Sequence, residues 1–575
     1  MARLNSIRWP WLITLLVTIA YLPFLDLRVL RMAGDEKVYL SQAIEMARDG
    51  RWFVQTLADQ PDYYKGPLHY ILIRAGLFVF GDHIIAGIYM NWLLALIAGL
   101  ALWRMGRRGG WREDRAGLLG LAAALNVGIW THGLASQMET ELMALYGLAG
   151  AALGIEALTE KTKAKSGRGD LPFWVLAGIA GWLKSPLHAA LLGSGAVLFW
   201  FSIGQLGRRL RSPGPWLSVL CGVAVCALGY GPAYFFDRQN FVAIFLGREN
   251  VGKPDNGRHI DYVLRSLPHF LFPWVAVTLG GLGILVVRWV QRWKGFGALL
   301  GQNLSRAPAL VLSADETLAR LGVAAALPTI IFFCAFPYKG QNYNLPALSL
   351  LLIAAWAAFP GGVPRWSHRV AGVLNAAVFL AVCAVCARFF LPTGVPEWWH
   401  WSWLVLALGA SAVAAALFLT CETARGAALA TMLFFVGFGA LITPLGEREM
   451  AGVRRFVRDR PDVALHYYNL EPTIWSEWGL LQLVLHRPVQ GVHQEKQLAA
   501  ALAPGHALLV PGAEALGQLQ AHAKAAGISL DGIHQQAWTR WMTKGKNAQG
   551  QTLWGVAWRQ GKLTVLEREF YILWR

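Results

Sequence analysis

The chain is expected to fold as a polytopic α-helical membrane protein of about thirteen spans, with a small α/β domain at its C-terminal end. Three observations predict this. Hydrophobic residues make up 55% of the 575 residues and charged ones only 15%, a balance foreign to an ordinary soluble domain of this length. The basic residues fall into short clusters between long apolar runs, so the formal net charge of +18 reports orientation in a membrane and not nucleic-acid binding. After about Glu447 the apolar runs shorten and charges become frequent.

The first apolar run, 9–25, is long enough to cross most of a hydrocarbon layer of roughly 30 Å. No small-residue cleavage site follows Tyr21-Leu22-Pro23, so the run reads as an anchor and not a signal. Basic clusters then set the topology: Arg104, Arg107, Arg108, Arg112 and Arg115; Lys161, Lys163, Lys165 and Arg168; Arg208, Arg209 and Arg211; Arg288, Arg292 and Lys294; Arg365 and Arg369; and Arg425. With every cluster in the cytoplasm, the spans fall at 9–25, 84–103, 116–131, 140–157, 172–184, 187–204, 215–234, 267–288, 318–336, 344–359, 370–391, 401–421 and 426–444. The N-terminus is then inside and the C-terminus outside. The run 68–80 is short for a span; it is placed as a helix against the outer membrane face, within a juxtamembrane stretch of about 26–83. The domain boundary falls at 446/447, giving a transmembrane unit 1–446 and an outer unit 447–575.

This topology gathers a set of polar residues on the outer face. Asp35, Glu36 and Lys65 lie in the first loop, and Glu139 opens the fourth span, with Glu141 close by. Lys184-Ser185-Pro186 joins the fifth and sixth spans. The loop 237–266 carries Arg248, Glu249, Asn250, Lys253, Arg258 and His259, and Lys339-Gly340-Gln341-Asn342-Tyr343 joins the ninth and tenth spans. Charges of both signs beside lipid are costly, and their convergence from five loops marks a site. Carboxylates there can serve as general bases or position a reacting hydroxyl, and lysine and arginine can neutralise a departing phosphate. A lipid-linked phosphosugar would present such a phosphate at this depth. No Gly-x-x-x-x-Gly-Lys-Ser/Thr loop and no Gly-x-Gly-x-x-Gly turn after a strand supports a nucleotide donor or an ATP-driven pump.

These residues carry a family resemblance. Gly34-Asp35-Glu36-Lys37-Val38-Tyr39, Tyr64-Lys65-Gly66-Pro67-Leu68-His69-Tyr70 and Leu77-Phe78-Val79-Phe80-Gly81 resemble the first outer loop of GT-C membrane glycosyltransferases. The similarity is greatest to the lipid A aminoarabinose transferase and protein O-mannosyltransferase branch. Gln137-Met138-Glu139 with Leu142 resembles the second acidic motif of that branch. Leu183-Lys184-Ser185 is similar to its Leu-Thr-Lys-type turn, and Glu249-Asn250 to a Glu-His pair. Phe332-Phe333 through Lys339-x-x-x-Tyr343-x-Leu345-Pro346 resembles its Lys-x-x-x-Tyr-x-Leu-Pro pattern. Together these cover roughly 5–445 in matching order. The chain departs from the pattern at Val38, where the family has arginine, and at Tyr64, where it has the glutamate before the lysine. It departs again at Gly66, which displaces the proline, and at Asn250, where a histidine is usual.

The resemblance implies inverting sugar transfer from a polyprenyl (undecaprenyl) phosphate to a periplasmic acceptor, in the inner membrane of a bacterium. The acceptor would be lipid A, another envelope glycolipid, or a protein. Asp35 would be the central carboxylate, and Lys65, helped by Lys253, Arg258 or Lys339, would stabilise the phosphate. Glu139 and Glu249 would orient these cations or contact the sugar. Glu36, Tyr64, Lys184 and Tyr343 complete the expected binding set, and the protein is expected to act as a monomer. No metal site is expected from the scattered His132, His259 and His269; a divalent cation bridging Asp35, Glu139 and the donor phosphate is compatible with the charges.

Other features read more plainly. Lys37, Arg28 and Arg31 are expected to be interfacial anchors whose charged ends snorkel to the headgroups. All six cysteines (Cys221, Cys226, Cys334, Cys383, Cys386, Cys421) sit in or beside apolar spans and read as packing. Trp398, Trp399, Trp401 and Trp403 mark an interfacial belt. In the C-terminal unit, 463–470 and 507–511 read as strands, 472–485 and 513–526 as helices, and 552–559 and 565–574 as late strands. Its Trp475, Trp478, Trp538 and Trp541 read as core or membrane-facing packing in preference to a carbohydrate contact. A transporter is the rival class, but no internal repeat is visible and the polar motifs fall in outer loops instead of at mid-membrane.

Overall fold

The computed structural model describes residues 8–21, 36–58, 60–63, 65–134, 136, 138–160, 170–251, 255–299, 312–390, 400–420, 423–470, 477–541 and 550–575. The chain opens with α1 (Trp9–Tyr21), which buries Trp9, Ile13, Val17 and Tyr21 in the bundle. The first loop is ordered by α2 (Glu36–Arg48), a short antiparallel pair of β1 (Thr56–Leu57) and β2 (Gln60–Pro61), and α3 (Pro67–Phe80). Next come α4 (Ile85–Arg108), α5 (Glu113–Ala124), α6 (Val127–Gly133), α7 (Met138–Glu160), α8 (Leu171–Leu183), α9 (Pro186–Ser202), the short α10 (Leu206–Leu210) and α11 (Pro213–Phe236). A turn α12 (Arg238–Asn240) runs into a π-helix (Phe241–Val251), and α13 (Asp261–Arg265) and α14 (Leu267–Leu271) lead to α15 (Val275–Leu299). The bundle ends with α16 (Ala314–Ala335), α17 (Leu348–Ala357), α18 (Arg365–Phe389), α19 (Trp401–Thr420) and α20 (Ala424–Asp459).

Among the described residues, seven of the thirteen expected spans coincide with helices long and apolar enough to cross a membrane, and five with apolar helices of 10–17 residues. The remaining one, 116–131, is broken. Asn126 sits between α5 and α6 in extended backbone, and its side chain accepts a hydrogen bond from Ile129 N–H at 2.9 Å, so it caps a new helix where a continuous one was expected. The span expected at 267–288 starts later, at Val275, because the chain first makes the separate turn α14. The region 237–266, expected as a loop, is largely helical, and its π-helix is a rare form that recurs at functional sites. The helix expected at 68–80 is present as α3, with Phe78 and Val79 at its end 91% and 68% exposed.

Two of the basic clusters include buried arginines. Arg209 is buried, bonding Glu156 at 2.8 Å and Asp170 at 3.0 Å, with its guanidinium over the Trp200 ring. Arg115 is buried too, donating to the Trp356 carbonyl and to Asp315 at 2.7 Å. Each ties together the ends of helices far apart in sequence, which makes the expected topology signals structural braces as well.

The C-terminal elements are β3 (Ala464–Tyr468), α21 (Trp478–Leu485), β4 (Val489–Val492), α22 (Glu495–Ala501), β5 (His506–Val510), α23 (Ala513–Ala525), β6 (His534–Trp541), α24 (Leu553–Gln560) and β7 (Glu567–Trp574). They form one sheet of order β4-β3-β5-β7-β6, with β3 parallel to β4 and β5, and β7 antiparallel to β5 and β6. The segment expected as a strand at 552–559 is instead the helix α24. Thr552 caps its start, accepting from Gly555 N–H at 3.3 Å, and Gly561 at φ 66° closes its end. Strands β4 and β6 and helix α22 have no counterpart in the expectation. One sheet face packs Tyr468, Leu508 and Val510 on α22 and α23. The other face carries Leu465, Leu509 and Ile572 into the same core as Val453 and Phe456 of α20. Since α20 runs through the expected boundary at 446/447, bundle and sheet share one continuous core.

Candidate active site

Glu139 is the second residue of α7, and Lys184 is the residue that ends α8. The Lys184 Nζ donates to Glu139 Oε1 at 2.5 Å, with the two side chains only 14% and 7% exposed. The sequence fixes this turn locally: Ser185 is in extended backbone, its hydroxyl accepts from Leu187 N–H, and Pro186 takes the first position of α9. The Lys184 ammonium also lies 5.2 Å from the centroid of the Tyr343 ring, a cation–π arrangement. Tyr343 in turn packs against Phe333 and Tyr338. Three expected site residues, Glu139, Lys184 and Tyr343, thus meet in one contact, Glu139 buried and the other two half-buried.

The turn Lys65-Gly66-Pro67 docks on the same place. Gly66 N–H donates to the Lys184 carbonyl at 3.1 Å, and Pro67 starts α3. A Cβ at position 66 would stand 2.2 Å from the Trp182 carbonyl oxygen, so the residue that displaces the family's proline must be glycine for this backbone contact to form. Lys65 itself is buried. Gly66→Ala is therefore expected to push the Lys65 turn off Lys184. The clash should cost about 1–3 kcal/mol in stability, read as a lower melting temperature in detergent, together with lost activity.

Glu141 does not compete with Glu139 for Lys184. Its Oε2 lies 2.9 Å from His69 Nδ1, both side chains are buried, and His69 meets the edge of Tyr39. Residues two apart on a helix face different directions, so the two glutamates serve different partners. Glu141 ties α7 to α3, and Glu139 ties α7 to α8.

The Lys339 turn is held from the other side. The Lys339 carbonyl accepts from Asn256 Nδ2 at 3.0 Å and from Arg258 Nη1 at 2.9 Å, and its N–H donates to Asn256 Oδ1. Ser266 Oγ donates to the Gln341 carbonyl. Lys339 is buried, whereas Arg258 is exposed and lies over the Tyr262 ring. Arg258 is thus placed as a brace of the Lys339 turn. Tyr63 approaches Asp237 at 3.5 Å, and burial, reinforced by that carboxylate, pushes its phenol up. Asp35, Tyr64 and Lys253 lie outside the described residues, as do the side chains of Glu36, Arg248, Glu249 and Asn250.

Four polar residues that the sequence reading did not place there join the site. His132, at the end of α6, lies within electrostatic reach of Glu139 and bonds the Gly128 carbonyl. His188 bonds the Tyr146 hydroxyl at 3.0 Å, and Thr329 approaches the same hydroxyl. The signal was spacing: Glu139 and Tyr146 are seven apart on one face of α7, and His188 lies in the first turn of α9, just after Lys184. Among the described residues no cluster of three or more His, Cys, Asp or Glu could hold a metal ion. Of the expected cation pair, Glu139 is committed to Lys184 and Asp35 is outside the described residues.

Residues 59–230, which include Lys65, Glu139 and Lys184, match the family model of dolichyl-phosphate-mannose-protein mannosyltransferases. The structure superposes on ArnT from Cupriavidus metallidurans in the apo state with a TM-score of 0.65 at 15% identity, over 98% of this chain and 97% of that one. The fold is the GT-C fold of ArnT. ArnT bound to undecaprenyl phosphate aligns with the same TM-score at 16% identity and the same coverage. No curated protein matches the chain. The ArnT-like fold extends through the C-terminal sheet, since the alignment takes in nearly the whole of both chains.

Proposed function

We propose that this protein is a multi-pass membrane glycosyltransferase of about thirteen spans that moves a sugar from undecaprenyl phosphate, with inversion, to an acceptor outside the cytoplasm. Lipid A or another envelope glycolipid is the favoured acceptor. The observation that carries the reading is the meeting of Lys65-Gly66, Glu139, Lys184 and Tyr343 at one place in an ArnT-like fold. In the reaction an acceptor oxygen attacks the anomeric carbon opposite the phosphate. The carbon–oxygen bond to phosphate breaks, and its electron pair leaves on the phosphate. Asp35 takes the proton when the acceptor is a hydroxyl, and orders the reacting groups when it is already an anionic phosphate. Lys65 and Lys339 stabilise the charge that grows on the departing phosphate. Glu139 holds Lys184 in place. The matched family supports a second acceptor, a protein hydroxyl, reached by the same chemistry.

The test is transfer from a synthetic undecaprenyl-phosphate sugar by purified protein, with lipid A and a serine/threonine-rich protein as parallel acceptors, products read by mass spectrometry. Mass gain on lipid A supports the first reading, and gain on protein the second. No consumption of any polyprenyl-phosphate sugar would remove both and favour transport. Orientation is tested separately. A reporter enzyme active only in the periplasm, fused after Arg575, is expected to work; activity of a cytoplasm-only reporter at that position would invert the topology.

A further inference from the structure

We propose that the C-terminal domain positions the acidic first loop through α21, with Glu477 and Lys37 as the positioning pair; the proposal rests on the glycosyltransferase reading. Lys37 is the second residue of α2, directly after Asp35-Glu36, and is 7% exposed. Its Nζ donates to Glu477, the residue at the start of α21, itself 8% exposed. Lys37 is therefore not the interfacial anchor the sequence implied. It is buried against a carboxylate 440 positions away.

The pair sits in a close-packed joint. Gly479 N–H donates to Ser41 Oγ at 3.2 Å, and that hydroxyl donates to the Lys37 carbonyl at 3.0 Å. A Cβ on Gly479 would lie 2.6 Å from the Ser41 backbone, so the two helices touch main chain to main chain. Farther along α21, Gln482 Nε2 donates to Asp82 Oδ1 at 2.9 Å, His486 bonds the Asp82 carbonyl, and the His486 and His83 rings lie 4.6 Å apart. One helix of eight residues thus grips the start of α2 and the turn between α3 and α4 together. In sequence, Lys65 and His69, the partner of Glu141, fall between the two gripped segments.

A buried ion pair is a poor way to gain stability, because desolvating both charges offsets most of their attraction; apolar residues would pack the joint as well. What a charge pair adds is a fixed register. Here it fixes the first turn of α2, a helix of 13 residues, too short to hold its own start firmly in isolation. Asp35 is one peptide bond before that helix. Displacing a catalytic group by about 1 Å can cost about 10²-fold in rate, so the joint bears on turnover more than on donor binding.

The experiment uses the full-length protein with the sugar-transfer assay. Wild type is assayed first: if it consumes no donor, the glycosyltransferase reading fails and the positioning role is not reached. With active wild type, Glu477→Gln and Glu477→Lys are expected to lower kcat about tenfold or more, with the donor KM changed less than twofold. Hydrogen exchange in the first turn of α2 should rise; the melting temperature should fall as well, because the buried Lys37 loses its carboxylate partner, so kcat is taken per folded molecule. The swap Lys37→Glu/Glu477→Lys should regain part of the lost kcat. Wild-type kcat in Glu477→Gln, or a kcat loss matched by a proportional fall in folded protein and not relieved by the swap, overturns the proposal. Should Glu477→Lys not fold, Glu477→Gln with its exchange pattern decides.

Discussion

Asp35→Asn is expected to lose about 10²–10⁴-fold in turnover, the usual contribution of a general acid–base group, while the protein still folds and inserts. The substitution keeps size and much of the hydrogen bonding and removes only the charge. Its expected effect follows from position: Asp35 precedes the buried start of α2 at Lys37, and the turn of Lys65 docks on Lys184, the partner of Glu139. Lys65→Ala should lower turnover and weaken donor binding as well, because a phosphate contact is present both before and during transfer. The measurement is sugar transfer by monodisperse purified variants, with kcat and KM resolved. Near-normal turnover in Asp35→Asn would sink the mechanism and favour a transport role for the outer cluster.

Much of this arrangement was legible because membrane proteins advertise it. Apolar runs located most of the helices, and polar residues at helix ends picked out groups that the fold brings into contact, such as Glu139 and Lys184. What escaped the sequence depends on contacts between distant segments. Lys37 looks like any lysine near a membrane surface until Glu477 is beside it. Arg258 reads as a phosphate ligand by charge, and nothing in the sequence shows that its guanidinium also donates to the Lys339 carbonyl. The helix α24 was misread because Trp554 and Trp558 suit a strand by residue type, whereas Thr552 and Gly561 at the two ends impose a helix. The C-terminal unit reads as separate by composition, yet Leu465, Leu509 and Ile572 of its sheet lie in one core with Phe434 and Phe435 of the bundle. Composition records what surrounds a segment, not what it packs on.

Glu139 and Glu141 are the pair that spacing alone could not order, and their partners now make the two substitutions differ in kind. Glu139→Gln removes the charge that holds Lys184 beside Tyr343 and is expected to lower kcat by about 10²-fold, the scale of a misplaced catalytic group. Glu141→Gln leaves that contact intact and breaks the link between α7 and α3, so its main effect should be on melting temperature. Breaking a buried pair by removing one partner typically costs about 3–5 kcal/mol, because the other charge is left without compensation. Glu139→Ala should therefore also destabilise, and Lys184→Met added to it should restore much of the melting temperature. Activity should stay lost in that double variant, since Lys184 is part of the site and not only the counter-ion of Glu139. Recovery of both stability and turnover would show that the ion pair is a brace alone. The catalytic weight would then rest on Asp35, Lys65 and Lys339.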